Sequence, residues 1–342
     1  MIKINKKIEF SYKKPPIIIA EISGNHSGSK KRFLNLVDKA CKNGADLIKI
    51  QSYEPDDITL NKKTPHFKIK KGIWKNKYLW DIYKKACTPF SWHKDAFEIA
   101  KKNKKTIFSS PFSKRAVDLL EKLEVSIYKI ASFEITDLNL INYIASKRKP
   151  IIISTGMASI SEIKTAIKII EKYHKKIIIL HCVSDYPTKL EDTNLNKIRE
   201  LKKIFSKYII GLSDHTNHIY SSIASIPIGI VAIEKHFNLD NKKTLDSEFS
   251  ITPDKLKELK KLSLNIFESL NKKKIYVPKN LKLRRSIFAS KFIKKNEKIS
   301  EKNIVCLRPE VGIKAKNFYK IIGKRTKKNL KKNDAIYFND LI

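Results

Sequence analysis

Gly211–Leu212–Ser213–Asp214–His215–Thr216 and Ile233–Glu234–Lys235–His236–Phe237 share one pattern. Each grows out of an apolar, β-branched run: Tyr208–Ile209–Ile210 before the first, Ile230–Val231–Ala232–Ile233 before the second. Each ends in a polar cluster that contains a histidine. Buried strands read this way when their C-terminal ends open onto a site. Two imidazoles on adjacent strand ends can hold one divalent metal and leave positions free for water or substrate. Two unrelated histidines, one capping a helix and one buried, would give the same letters, so the rest of the chain has to decide.

Upstream lie six more runs of the same kind: Ile17–Ala20 ending at Glu21, Asp46–Gln51, Thr106–Ser110, Ile127–Ile130, Ile151–Thr155 and Ile177–Cys182. Helical spacing separates them at Lys31–Asn43, from Thr88–Pro89–Phe90 to Ala100, at Lys114–Leu123, Ile160–Tyr173, Leu195–Phe205 and Ser221–Ile226; another helix follows at Lys255–Leu270. Eight strands alternating with helices over about 270 residues spell a (β/α)8 TIM barrel. An open doubly wound sheet is the alternative, but it would carry a glycine-rich loop after its first strand. Here that loop is Ser23–Gly24–Asn25–His26. Residues 52–79 read as a long excursion with little periodicity; its neighbourhood is aromatic, with Trp74, Tyr78, Trp80 and Tyr83, and suits a pocket-shaping loop. The barrel is expected over 1–270, a basic linker over 271–283, and a small β-rich domain over 284–342. In that domain Ser286–Ala289, Asn303–Leu307 and Ala335–Phe338 are its strand-like pieces.

A formal net charge of +38 raises the question of nucleic acid. The lysines run from end to end and form no stripe, which favours a small anionic substrate over nucleic acid. The cysteines, Cys41, Cys87, Cys182 and Cys306, make no CxxC spacing and fit a reducing compartment. Met1–Pro16 is basic without the apolar run of a signal peptide, and the apolar stretch Ser221–Ile233 is too short to span a bilayer. The expectation is a cytoplasmic protein with no membrane segment.

The strand ends display Lys49 and Lys129 with the hydroxyls of Ser110, Ser132, Ser154 and Ser213. A ring of cationic and hydroxyl donors suits a phosphate or carboxylate. The lysines sit inside apolar strands, so each needs an anionic partner from a side chain or a ligand. Glu21, Glu134, Glu234 and Asp246 add carboxylates able to move a proton or orient water.

In these motifs the chain resembles the sialic acid synthase family. The resemblance runs in order through Ala20–His26, Lys49–Gln51, Phe108–Ser113, Tyr128–Ser132, Ser154–Met157, Gly211–Thr216 and Glu234–Phe237. Arg285–Ser286–Ile287, Arg308–Pro309 and Ile322–Gly323–Lys324 resemble its small SAF (antifreeze-like) domain. The resemblance implies condensation of phosphoenolpyruvate with an N-acylated amino sugar and release of phosphate. It implies a divalent metal on His215 and His236, commonly Mn2+, with Mg2+ or Co2+ as alternatives. Lys49, Lys129, Ser110, Ser132, Ser154 and Ser213 would cradle phosphoenolpyruvate. Gln51, Tyr186 and Asp246 are further substrate-binding candidates, with Ser184 a weaker one. Glu134 would carry a proton, Glu21 would support the metal side, and Glu234 completes the catalytic carboxylates. A domain-swapped homodimer is implied as well.

Within the family, Gly72–Leu79, Thr88–Pro89, Trp92–His93, Ser132–Asp137 and the serine in Leu245–Ser250 resemble the pseudaminic acid synthase branch. N-acetylneuraminate or legionaminate synthesis is the alternative within this chemistry. The small domain departs from the family pattern at Pro309–Glu310–Val311–Gly312, with Lys314 and Lys316 in the turn that follows, so no sugar contact is carried over from it. A basic nucleic-acid-binding protein on an inactive barrel is the alternative outside this chemistry. It predicts steeply salt-dependent binding and leaves the two strand-end histidines without a role.

Overall fold

The computed structural model describes residues 1–271 and 280–342. Its first elements were not expected. β1 (Ile2–Lys3) and β2 (Glu9–Phe10) form an antiparallel hairpin with Ile2 opposite Phe10. Asn5 donates to the Thr106 hydroxyl at 2.9 Å and the Tyr12 hydroxyl accepts from the Ile210 amide at 2.9 Å, so this segment sits at the N-terminal ends of the barrel strands. Two-residue strands are too short to show alternation, and the lysines around them conceal the fully buried Phe10.

The barrel strands are β3 (Ile17–Glu21), β4 (Leu47–Ser52), β5 (Thr106–Pro111), β6 (Tyr128–Ile130), β7 (Ile151–Ser154), β8 (Ile177–His181), β9 (Ile209–Asp214) and β10 (Ala232–His236). They form a closed barrel in chain order, with β10 pairing back to β3, and every pair is parallel. Parallel strands covered on both faces need continuous apolar runs. Ile151, Ile152, Ile153, Ile177, Ile178 and Ile179 supply them and are fully buried. Gly211 is required where β8, β9 and β10 meet. A Cβ there would lie 2.6 Å from Leu180 Cδ2 and 2.8 Å from the Ala232 carbonyl oxygen.

The helices between strands are α1 (Lys30–Lys42), then α2 (Pro55–Ile58), α3 (Leu79–Ala86) and α4 (His93–Lys102), then α5 (Lys114–Lys122), α6 (Leu138–Ser146), α7 (Ile160–Glu171), α8 (Asn196–Ile204), α9 (Tyr220–Ser225) and α10 (Pro253–Asn271). Serines cap several of them: Ser29 accepts from the Arg32 amide, Ser113 from Ala116, and Ser159 forms a reciprocal capping box with Glu162. Three sequence expectations need correction. α6 was not anticipated, although Leu140, Ile141, Ile144 and Ala145 bury one face at helical spacing and Asp137 caps the start. The excursion after β4 is more ordered than its composition suggested, holding α2, a 3-10 turn at Pro65–Phe67 and a bridge between Lys68 and Tyr78. α4 starts at His93, after a separate 3-10 turn at Phe90–Trp92.

The chain divides into two compact units between Lys272 and Lys273. Of the expected linker, residues 272–279 lie outside the described residues. In the second unit, β11 (Ser286–Ala289) pairs antiparallel with β12 (Ile304–Leu307). Ile287, Ile293, Ile299, Ile304, Ile321 and Ile336 build most of a small core, to which α11 (Phe318–Ile321) contributes. Ala335–Phe338 is not a strand. Ala335 makes a single bridge to Phe288 and the chain turns into a 3-10 helix at Phe338–Asp340.

Candidate active site

The C-terminal ends of β4, β6, β7, β9 and β10 face one cavity of about 320 Å³. Period-two alternation aims Lys49 with Gln51, Ser213 with His215, and Glu234 with His236 into it. Barrel closure aligns Glu234 with Ser213 on one side and His236 with Glu21 on the other, and Glu21 in turn aligns with Lys49.

The interior lysines find their anions in the protein. Lys49 Nζ lies 3.0 Å from Glu21 Oε2 and 2.9 Å from Glu234 Oε1. Lys129 Nζ reaches the same Glu234 oxygen at 3.3 Å, and no other carboxylate among the described residues pairs with it. The Ser213 hydroxyl donates to Glu234 Oε1 at 3.0 Å. Burial works against every one of these charges, and the contacts decide the outcome. Glu234 is held well below the usual carboxylate range, because Lys129 and Lys49 outweigh its burial. Lys49 is raised, because Glu21 and Glu234 outweigh burial. Lys129 is lowered, because burial outweighs its share of Glu234. Lys129 is thus the cation with least compensation. Glu21, fully buried, is pushed up to about 7 by burial against the pull of Lys49. Glu134 lines the cavity and is pushed up to about 7 by burial, with Lys129 opposing.

The two histidines lie side by side, ring centroids 5.5 Å apart. Tyr186 packs on His215 at 4.5 Å and Phe249 on His236 at 4.7 Å. His215 Nδ1 donates to the Val183 carbonyl at 2.7 Å. Its Nε2 lies 3.4 Å from the Ser213 hydroxyl, whose proton is already given to Glu234, so that nitrogen keeps its lone pair. His236 Nδ1 contacts the Ser23 hydroxyl at 3.1 Å. Burial lowers His215 to about 4 and holds His236 well below the ordinary imidazole value, so both rings are neutral at pH 7. A pair of neutral imidazoles with free Nε2 atoms can serve as two ligands of a divalent ion. Among the described residues no third His, Cys, Asp or Glu joins them in a metal-holding group. The rest of a coordination shell would come from water or substrate oxygens.

Lys49, Gln51, Lys129, Ser132, Ser154, Glu134, Tyr186, Ser213, His215, Glu234, His236 and Asp246 all line the cavity. Glu21, Ser110 and Ser184 do not. Glu21 lies behind Lys49 and Gln51, accepting from Gln51 Nε2 at 3.0 Å and the Ser23 amide at 3.1 Å. The hydroxyls of Ser110, Ser154 and Ser184 are buried without a hydrogen-bond partner among the described residues. Ser132 is engaged, accepting from the Gly156 amide at 3.2 Å and touching Cys182 Sγ at 3.0 Å.

The rest of the lining is largely apolar; the pocket-shaping excursion expected after β4 supplies Ile69 and Trp74, while α3 was not expected as a helix. α3 presents Leu79, Ile82, Tyr83 and Ala86 to the cavity, joined by Ile69 and Tyr53. The signal was present, since positions 79, 82, 83 and 86 follow i, i+3, i+4, i+7 spacing. His26 fixes the end of this wall. Its Nδ1 accepts from the Gly28 amide, so Nε2 carries the proton and donates to the Ala86 carbonyl at 3.1 Å. Trp74 closes over the site by donating to the Leu245 carbonyl at 3.3 Å.

Comparison with known proteins agrees with this geometry. The NeuB family model matches residues 36–275 and the SAF domain model residues 284–342. The chain is 39% identical over 337 residues to the pseudaminic acid synthase of Campylobacter jejuni, covering 97% of this chain and 98% of that protein. It is 39% identical over 334 residues to the pseudaminic acid synthase of Helicobacter pylori, covering 96% and 98%. The crystal structure of N-acetylneuraminic acid (sialic acid) synthetase from Leptospira borgpetersenii in complex with citrate superposes with a TM-score of 0.73 at 30% identity, over 82% of this chain and 93% of that one. With a barrel whose strand ends carry the family's ordered motifs and an SAF domain after it, this chain belongs to the NeuB family.

Proposed function

We propose that this chain is a pseudaminic acid synthase, condensing phosphoenolpyruvate with 2,4-diacetamido-2,4,6-trideoxy-L-altrose to give pseudaminic acid and phosphate. One observation carries the reading: a single cavity is lined both by buried cations and by apolar side chains of α3. The cationic side suits phosphoenolpyruvate, whose phosphate and carboxylate need several donors at once. Lys129 is its first partner, being the lysine whose burial is least compensated. Ser154 offers a hydroxyl with no partner among the described residues, and Ser110 and Ser184 are buried in the same condition. The apolar wall suits the methyl and acetamido groups of a trideoxy sugar, and near-full-length identity to pseudaminic acid synthases supports the same acceptor.

In the reaction, carbon 3 of phosphoenolpyruvate attacks the sugar aldehyde. Water then adds at carbon 2, and phosphate leaves with cleavage of its C–O bond. Glu134, pushed up to about 7 by burial, can give a proton to the aldehyde oxygen or take one from water near neutral pH. Glu234 is held ionised and serves as counter-ion, fixing Lys49 and Lys129. Glu21 steadies Lys49 and Gln51 from behind. His215 and His236 would hold a divalent metal, Mn2+ or in its place Mg2+ or Co2+. Such an ion, when bound, supplies Lewis acidity toward the aldehyde oxygen.

A homodimer in which each small domain serves the partner's barrel belongs to the same proposal and rests on family resemblance. Sedimentation tests it, since a monomer has a mass of 39.6 kDa. Among the described residues no helix is long and apolar enough to cross a membrane, and use of phosphoenolpyruvate supports a cytoplasmic setting.

The test is phosphate release with Mn2+ and three acceptors offered separately: the trideoxy altrose, N-acetylmannosamine, and 2,4-diacetamido-2,4,6-trideoxymannose. Turnover confined to the altrose sugar is expected. Preference for either mannose sugar would keep the barrel chemistry and replace the acceptor with the neuraminate or legionaminate precursor. No release with any of them would sink the reading.

A further inference from the structure

Ser23 is absent from the cavity lining, yet it joins two groups that are part of it. Its hydroxyl lies 3.1 Å from His236 Nδ1 and 2.5 Å from Asp246 Oδ2. The same Asp246 oxygen accepts from the Gly24 amide at 3.1 Å, and the Ser23 amide donates to Glu21 Oε1 at 3.1 Å. Ser23 is 3% exposed, so water does not compete for these bonds. Its backbone is left-handed, with φ at +41°, a region that residues bearing a Cβ seldom enter. Such outliers persist where the surroundings demand them, and they gather at functional sites. Glycine would fill this backbone position without strain, so a serine there points to a use for the hydroxyl.

The proton inventory gives that use. A serine hydroxyl has one proton, and a carboxylate only accepts. The Ser23 proton therefore goes to Asp246, and the Ser23 oxygen is left to accept from His236. His236 must then carry its proton on Nδ1 and keep the lone pair on Nε2. We infer that Ser23 is a positioning residue: it relays the Asp246 carboxylate to the His236 ring, fixing the tautomer that leaves Nε2 free to bind a cation. The relay thereby ties two residues of the cavity lining, Asp246 and His236, through a residue outside it. This deepens the proposed function and, in its cation-binding part, rests on the reading of His215 and His236 as a metal pair.

Two measurements test it, neither depending on turnover. The first is the pair of 15N ring shifts of His236 in metal-free protein; the second is Mn2+ titration followed by the electron paramagnetic resonance of free Mn2+. Wild type is expected to show a single Nδ1–H tautomer and one Mn2+ site per chain. Ser23→Gly removes the hydroxyl, suits the left-handed backbone and leaves Asp246 the Gly24 amide as donor, so it should still fold. It should show mixed tautomers and bind Mn2+ about 10–100-fold more weakly, the usual loss when the partner of a ligating imidazole is removed. Asp246→Ala removes the acceptor of the Ser23 proton, so that proton can turn toward His236, which should shift the tautomer toward Nε2–H without a change at Ser23 itself. A Ser23→Gly protein with wild-type ring shifts and wild-type Mn2+ affinity would overturn the relay. If wild type binds no Mn2+, the metal pair falls, while the ring shifts of the two variants still decide whether Ser23 sets the tautomer.

Discussion

Glu234→Gln removes one negative charge from a position shared by two buried lysines, and its cost follows from how they are paired. Lys49 keeps Glu21 at 3.0 Å, so it retains a counter-ion. Lys129 has only Glu234, at 3.3 Å, among the described residues. The variant therefore carries one buried ammonium without a partner, which costs about 3–5 kcal/mol at pH 7. For a unit of this size the melting temperature should fall by roughly 6–20 °C. The sign of the pH dependence is fixed. Lys129 already has a folded-state value below that of the unfolded chain, and loss of Glu234 lowers it further. The unfolded state then binds more protons, so the deficit is full at neutral pH and shrinks as pH rises toward 10. In the proposed function phosphoenolpyruvate would supply the missing anion, so it should raise the melting temperature of the variant by more than that of wild type. Calorimetry of the barrel transition at pH 7 and pH 9.5, with and without phosphoenolpyruvate, is the assay. Melting within about 1 °C of wild type at pH 7 would refute the charge pairing. A deficit that stays constant with pH would assign the loss to packing instead.

Three other outcomes are expected. Glu134 has a folded value of about 7 against an ordinary 4.5, so its ionisation removes stability as pH rises between the two and leaves a constant deficit above 7. Glu134→Gln should thus match wild type in urea denaturation below pH 4.5 and exceed it by up to about 3 kcal/mol at pH 8, and a gap independent of pH would contradict this. Gly211→Ala places a Cβ 2.8 Å from the Ala232 carbonyl oxygen and should lower thermal stability by about 1–3 kcal/mol; an unchanged melting curve would show that the strands yield at no cost. Ile82→Asn puts an amide into the apolar wall and should lower kcat/KM for the trideoxy sugar roughly tenfold or more while leaving the KM for phosphoenolpyruvate alone; equal losses for both would place the sugar elsewhere.

The barrel was legible because its strands are unbroken β-branched runs with polar residues at their C-terminal ends, as in Ile151–Ser154 and Ile209–Asp214. Where the periodic signal was short, the reading failed. The β1–β2 hairpin offers two residues per strand, and Ala335–Phe338 has strand composition but only one bridge to a neighbour. α3 spans only eight residues, and its apolar spacing is masked by the aromatic, lysine-rich stretch around it. Most of the candidate site residues could be named, since alternation shows which side chains leave a strand on the same side. Their pairings could not be named, since Lys49 meets Glu234 from 185 positions away, through the closure of β10 onto β3.

That long-range pairing changes what the buried lysines mean. From the sequence, two interior lysines and a set of hydroxyls read as a site whose positive charge waits for an anionic substrate. The folded site is closer to balance, because Glu234 bonds to both lysines and to Ser213 through a single oxygen. What remains for a substrate is the difference between Lys49, which has two carboxylates, and Lys129, which has a share of one. A fully balanced pair would hold the barrel together but attract no anion, and an unpaired pair would cost more stability than a fold can spare. One carboxylate divided between two ammonium groups lies between these limits. It holds both lysines in place, and on the proposed reading it leaves part of one charge for phosphoenolpyruvate to satisfy.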